Sequence, residues 1–377
     1  MNLLILFENS IDPMRGGVER VYSNLVPFFL EKGIKSYAYY FDDCDFGKSH
    51  CYTGVFKGEN KRSCSKVKEE IIRLINKWEI SVVICAYPSS TLMKAAESIK
   101  DVMVIHHVHN DPSRLFDSSQ LRFFRKHHIN NWLSVMLSHI YMHYKYAKCF
   151  RLADETSHKV VLLSENFRPK FQKLFPVKDE NIVSIPNPVV IDSTQNDEVY
   201  KENILLYVGR LSEYQKNVSS LLRIWGRLFN RLPDYKLIIV GDGVDKTKYE
   251  QMAREMKLER IEFKGYQNPC EYYKKSCNLL MVSRFEGFSM VLVEAMQFGC
   301  VPFAYNSYES LSDIIDNGVN GFMISPFDEV EYANKLFDYL KLSSAEKQAF
   351  SIAAINKART FDVNVVGKRW LDLFNAI

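Results

Sequence analysis

The sequence lacks several features that define whole classes of protein. No stretch approaches 18 consecutive apolar residues, so nothing in it reads as a membrane-spanning helix. The eight cysteines, Cys44, Cys51, Cys64, Cys85, Cys149, Cys270, Cys277 and Cys300, form no CxxC pair and no cluster with histidine at zinc-ligand spacing. Cys85 and Cys300 lie in apolar runs, where a reduced thiol packs as a small hydrophobe, and a reducing, cytoplasmic compartment is the expectation. An excess of one charge is also missing. The 49 Lys and Arg against 45 Asp and Glu leave +4 over 377 residues, too little to argue for a nucleic-acid partner. The glycine fingerprint GxGxxG is absent, which weighs against a nicotinamide-dependent oxidoreductase. Low-complexity tracts and repeats of fixed period are absent too.

What is present belongs to an ordinary globular protein, 47% apolar and 25% charged, and the length suits two domains. Short apolar runs alternate with segments of helical periodicity, the pattern of parallel βα units. The runs fall at 3–7, 37–41, 82–86, 102–106 and 160–163, and then at 204–208, 237–240, 261–263, 279–282, 301–304 and 322–324. The first has no basic segment before it and ends after five residues, so it reads as a buried strand and not a signal peptide. Between the two sets, Ile185-Pro186-Asn187-Pro188 interrupts regular structure and a polar stretch follows. The expected fold is therefore α/β: two doubly wound Rossmann-like domains, residues 1–189 and 190–360. In open parallel sheets ligands bind beyond the carboxyl ends of the strands, so the strand-to-helix junctions are where chemistry should be sought.

Four junctions carry unusual residues. After the first run, Gly16-Gly17-Val18-Glu19 opens a helix; it reads either as a flexible turn or as a place where backbone amides approach a phosphate unobstructed. The run at 204–208 delivers Arg210, with Lys216 six residues on, just before another helix. Two cations there would hold a diphosphate, Arg as a fork and Lys as a point charge, although surface cations often only solvate. The run at 279–282 leads to Glu286 in a loop and Glu294 in an apolar helix. A carboxylate amid apolar neighbours must be paired or must bind something, and sugar hydroxyls suit it. The amides of Phe288, Ser289, Met290 and Val291 would face an anion at that helix start. The run at 102–106 ends in His106, His107, His109 and Asp111. A single histidine is more often structural than catalytic. A metal reading of the three fails because strand neighbours point to opposite faces.

The segment from Glu286 to Gly299, with glutamates eight positions apart, resembles the glutamate-x7-glutamate motif of the retaining family-4 glycosyltransferases, which have the GT-B fold. Gly16-Gly17-Val18, Ile185-Pro186-Asn187-Pro188, Val208-Gly209-Arg210 with Lys216, Ile239-Val240-Gly241-Asp242-Gly243 and Phe263-Lys264-Gly265-Tyr266 fall in register with it. The resemblance implies two domains facing across a cleft that closes on the donor, with residues 361–377 returning to the first domain. It implies a hexosyl transfer from a nucleotide-diphosphate sugar, most simply a UDP-hexose, with retention and with no cofactor or metal. The acceptor would be lipid-linked or an oligosaccharide, in lipopolysaccharide, O-antigen or exopolysaccharide synthesis. GDP-mannose users share the frame, and a silent sugar-binding subunit or an epimerase or phosphorylase of the same fold are the rivals; no cofactor lysine stands in a suitable motif.

By the same resemblance Arg210 and Lys216 bind the diphosphate, with Gly16 and Gly17 approaching it. Glu294 takes the ribose hydroxyls, Glu286 the hexose, and Tyr266 marks the base. A histidine touching the donor sugar would be His106, taken as the strand end, with His109 as runner-up for the sugar or acceptor. Asn217 departs from the glycine often found after the lysine.

The aromatic residues, 13% of the chain, concentrate in one notable place. Residues 118–153 contain no Asp or Glu, while Arg122, Arg125, Lys126, Lys145, Lys148 and Arg151 are interleaved with Phe123, Phe124, Trp132, Tyr141, Tyr144 and Tyr146. This is the composition of a helical surface lying on an anionic inner membrane, or equally of a helical pair whose cations line an acidic acceptor site.

Overall fold

The structure is a computed structural model that describes residues 1–14, 16–42, 51–59, 63–87, 90–97, 99, 102–114, 158–191 and 201–376, with isolated positions between 136 and 150. The chain forms two compact units, Met1–Pro188 with Val363–Ile377, and Val189–Asp362.

The first unit is built on a parallel sheet of strands β1 (Asn2–Leu6), β2 (Lys35–Tyr40), β3 (Gly54–Lys57), β4 (Val82–Cys85), β5 (Met103–Val108), β6 (Lys159–Leu162) and β7 (Ile182–Ser184). Their order is β3-β2-β1-β4-β5-β6-β7. The central strands are apolar on both faces because helices cover both, and Leu3, Leu4, Ile5 and Leu6 are wholly buried. Helix Gly17–Glu31 turns Val18, Val21, Tyr22, Leu25, Val26, Phe28 and Phe29 inward, the spacing of a helix with one buried stripe. Helix Val363–Asn375 docks beside it, Phe374 lying 5.5 Å from Phe29 between ring centroids. Gly367 permits the approach, since a Cβ there would stand 2.4 Å from the Phe28 ring.

The second unit has strands β8 (Glu202–Val208), β9 (Lys236–Val240), β10 (Ile261–Gly265), β11 (Ser276–Met281), β12 (Val301–Tyr305) and β13 (Phe322–Ile324), again all parallel, in the order β10-β9-β8-β11-β12-β13. Its core gathers Trp225, Tyr207, Tyr249, Tyr305 and Tyr332, all essentially buried. Phe303, Phe322, Tyr339 and Phe350 extend it as a chain of ring contacts with centroids 4.6–5.5 Å apart. Much of the aromatic excess therefore serves packing, with each buried ring contributing about 1.5–3 kcal/mol by area.

Two strands escaped the sequence reading. β3 and β7 are edge strands of four and three residues, half-exposed, and so neither shows a long apolar run. Among the described residues no helix is long and apolar enough to cross a membrane.

Candidate active site

In the second unit the strand order reverses between β8 and β11, which are hydrogen-bonded neighbours. The loops leaving their carboxyl ends therefore diverge around a crevice, the usual ligand position in such a sheet. Bare backbone packs tightly where β8 and β9 end. A Cβ on Gly241, whose φ is 143°, would lie 1.9 Å from the Gly209 carbonyl oxygen, and one on Gly243 2.3 Å from that of Leu211. Glycine is required at both positions by close approach of neighbouring chains. The amides of Gly209, Leu211 and Gly241 are tied to the carbonyls of Val240, Asp242 and Gly265 at 2.8–3.0 Å.

The loop after β8 carries Arg210 and then one helical turn, Glu213–Lys216, ended by Asn217 in the left-handed region at φ 52°. Helix Val218–Leu228 starts there, and Glu213 caps it by accepting from the Ser219 hydroxyl at 2.8 Å and amide at 3.3 Å. Burial alone would raise the Glu213 carboxyl, but hydrogen bonds from Ser219, Tyr249 and Arg284 outweigh it and hold the group below its ordinary range. Lys216 points across the junction, its Nζ 2.5 Å from Glu286 Oε1 on the loop after β11. Gln215 supports the same carboxylate, with Nε2 3.3 Å from Oε2. Glu286 is 7% exposed, so the sequence expectation of a paired, buried carboxylate holds in the geometry. Arg210 is exposed, and its guanidinium has no ion-pair or hydrogen-bond partner among the described residues.

Glu294 in helix Met290–Met296 is half-buried and accepts from the Tyr273 hydroxyl at 3.0 Å. The sequence reading expected it amid apolar surface, but its neighbours Leu292, Val293, Ala295 and Met296 take the buried face of the helix and leave it at the margin. Ser289 turns its hydroxyl inward, 2.7 Å from that of Tyr308, so only its amide remains for a ligand. The amides of Phe288, Ser289 and Val291 have no acceptor among the described residues, whereas that of Met290 bonds the Phe288 carbonyl at 3.0 Å. Tyr266, directly after β10, is 60% exposed.

In the first unit, Gly16 precedes helix Gly17–Glu31 as its N-cap, and a Cβ on Gly17 would meet nothing within 4 Å. The expectation that His106 ends its strand is corrected: β5 runs on to Val108, and His106 lies inside it. Its ring packs against Phe150 and His158, on the opposite face from His107, which accepts or donates at 2.9 Å to the Tyr22 hydroxyl and packs on Trp370. Burial, aided by His158, pushes His106 down to about 3. His109 is the first residue beyond the strand, and burial pushes it to about 3 against an opposing contribution from Asn187. Among the described residues no group of three His, Cys, Asp or Glu is placed to hold a metal. Arg122, Arg125 and Lys126 lie outside the described residues. The sequence reading missed Gln215, Arg284 and Tyr273 as partners of the named groups; the polar positions flanking Lys216 and Glu286 were the available signal.

Two doubly wound parallel units in one chain, one with cations and a carboxylate at its switch point, are the architecture of the GT-B glycosyltransferases. A solved structure of Anabaena HepE in complex with UDP shares this fold, with a TM-score of 0.77 at 18% identity over the whole of both chains. Residues 191–357 match the family glycosyl transferases group 1. It is 29% identical over 233 residues to the amylovoran biosynthesis glycosyltransferase AmsD of Erwinia amylovora, covering 60% of this chain and 64% of that one. It is 26% identical over 348 residues to the lipopolysaccharide 1,6-galactosyltransferase of Escherichia coli K12, covering 86% of each. The chain spans 64%, 48% and 48% of the length of the first three curated relatives it matches.

Proposed function

We propose that the protein transfers a hexosyl unit from a UDP-hexose to a lipid-linked or oligosaccharide acceptor in the synthesis of a bacterial surface polysaccharide, with retention of configuration and without a divalent metal. The observation that carries this reading is the arrangement at the β8–β11 junction. Arg210, whose guanidinium has no partner among the described residues, follows β8 on the same loop as Lys216, which grips the buried carboxylate of Glu286. The relatives named for polysaccharide and lipopolysaccharide synthesis, and the UDP held by HepE, support the same choice.

In this reading the leaving diphosphate gathers charge as the glycosidic bond breaks, and Arg210 and Lys216 stabilise it. Glu286 holds hydroxyls of the hexose, Glu294 those of the ribose, and Tyr266 lies against the base. The acceptor hydroxyl attacks on the face the diphosphate leaves, and its proton passes to the departing phosphate oxygen, so no side chain forms a covalent intermediate. Peripheral contact of residues 118–153 with an anionic membrane is part of the proposal. Flotation with anionic liposomes, lost when Arg122, Arg125 and Lys126 are changed to Glu, tests it.

The experiment is acceptor-dependent release of nucleotide diphosphate, run with EDTA. Lys216→Ala and Glu286→Ala should each abolish most of it, and release untouched by both would overturn the site. A thermal-shift panel of nucleotide sugars separates UDP-hexoses from GDP-mannose, because the true donor raises the melting temperature.

A further inference from the structure

The loops after β8 and β11 are laced together by side chains that the chemistry above does not use. Asn217 is 3% exposed and holds a left-handed backbone that glycine reaches without steric cost. Asparagine tolerates the same conformation and adds an amide whose two ends are both engaged. Its Nδ2 donates to the Val282 carbonyl at 3.2 Å, where β11 has just ended, and its Oδ1 accepts from Arg284 Nη2 at 2.8 Å. Arg284 also reaches Glu213 Oε1 at 3.2 Å, and its backbone N–H donates to the Gln215 carbonyl at 2.8 Å. On its other side the guanidinium lies 5.7 Å from the ring of Phe327. Phe327 is itself left-handed at φ 64°, a strained conformation for an aromatic residue, and its ring rests against Tyr305.

Lys216 sits between Gln215 and Asn217, and Glu286 follows Arg284 by two residues, so this strap adjoins both members of the ion pair. We propose that Asn217 and Arg284 are positioning residues that fix the Lys216 ammonium against the Glu286 carboxylate across the β8–β11 junction. On the function proposed above, they thereby set the donor's hexose relative to its diphosphate. Neither touches the donor. They act by removing freedom from two loops whose ends must meet within a hydrogen-bond length, where a misplacement of about 1 Å costs on the order of 10²-fold in rate.

The test uses Asn217→Gly, which keeps the left-handed backbone and removes both ties, Asn217→Asp, which keeps the acceptor for Arg284, and Arg284→Gln. With UDP-hexose, Asn217→Gly should lower kcat by about tenfold or more while UDP affinity stays within about threefold. Asn217→Asp should recover most of the loss, and the Asn217→Gly/Arg284→Gln double variant should be no worse than Asn217→Gly alone. A kcat within twofold of wild type for Asn217→Gly overturns the proposal. So does a parallel fall of kcat, UDP affinity and melting temperature, the mark of a merely structural role. A second readout needs no activity: the coupling between Lys216 and Glu286 in an unfolding double-mutant cycle should weaken at least tenfold, as an equilibrium factor, in the Asn217→Gly background. If the wild type transfers nothing but that coupling weakens, the proposed function fails and the positioning role stands; an unchanged coupling removes the positioning role.

Discussion

Removing the Lys216 ammonium should cost more stability than removing the Glu286 charge, and removing both should cost less than the sum. The two atoms are 2.5 Å apart, and the side chains are 17% and 9% exposed. At an effective dielectric of about 20 their gross attraction is about 7 kcal/mol, most of it cancelled by the desolvation of two ions. Lys216→Met strands a carboxylate that keeps, among the described residues, the Gln215 amide at 3.3 Å as its support, which should cost about 3 kcal/mol. Glu286→Gln leaves an ammonium that retains a path to solvent, and should cost about 1 kcal/mol. With both changes the site is neutral, and the double variant should lose about 2 kcal/mol, leaving a coupling of about 2 kcal/mol. For a unit of this size the lysine variant then melts about 6–12 °C lower. Urea unfolding of the four proteins at pH 7.5, followed by fluorescence and circular dichroism, gives the cycle. Because the pair is largely buried, raising salt to about 0.5 M should reduce the coupling only slightly. Additivity within about 0.5 kcal/mol would refute the reasoning, since it would mean that the two groups do not pair in solution.

Arg210→Ala should leave stability within about 0.5 kcal/mol, because the exposed guanidinium has no partner among the described residues to lose, yet cut nucleotide release by about 10²-fold; melting curves and turnover on the same preparation check both halves. Gly241→Ala should yield an unfolded or insoluble second unit, since its Cβ would meet the Gly209 carbonyl at 1.9 Å in a backbone held on both sides; circular dichroism of the soluble fraction reads this out. His106 is held neutral in the fold down to about 3, whereas unfolded histidine takes up its proton near 6.5. The unfolded state therefore binds the extra proton between those values, and stability falls as the pH is lowered from about 6.5 toward 3 at up to about 1.4 kcal/mol per pH unit. His106→Gln should flatten that slope by close to one proton in an acid-unfolding series.

The fold was legible where burial on both faces wrote unbroken apolar runs, as in β1, β4 and β9, and illegible at the edges of the first sheet, where the short strands β3 and β7 contact a neighbour on one side only. Glu286 and Lys216 stood out from the sequence because charged residues beside apolar strands demand an explanation, and the geometry does bring them together. That Asn217 would use its amide at both ends could not be read, because the Val282 carbonyl and Arg284 lie 65 and 67 residues away. Strand ends are equally obscure: His106 and His107 are polar residues inside a fully buried strand, and polarity suggested an end where hydrogen-bonded pairing continues. That the Ser289 hydroxyl turns to buried Tyr308 could not be read either, because its partner lies 19 residues on.

The helix Val363–Asn375 completes the first unit with Trp370 and Phe374, yet it is encoded after the whole of the second. On a ribosome adding about 5–20 residues each second, the sheet that begins with β1 waits on the order of ten seconds or more for its last covering helix while the second unit is made. During that interval the surface of Phe28 and Phe29 that this helix covers is open to solvent, to chaperones and to other nascent chains. A chain cut before helix Val363–Asn375 would keep the ion pair of Lys216 and Glu286 and still leave unfinished the unit that was begun first.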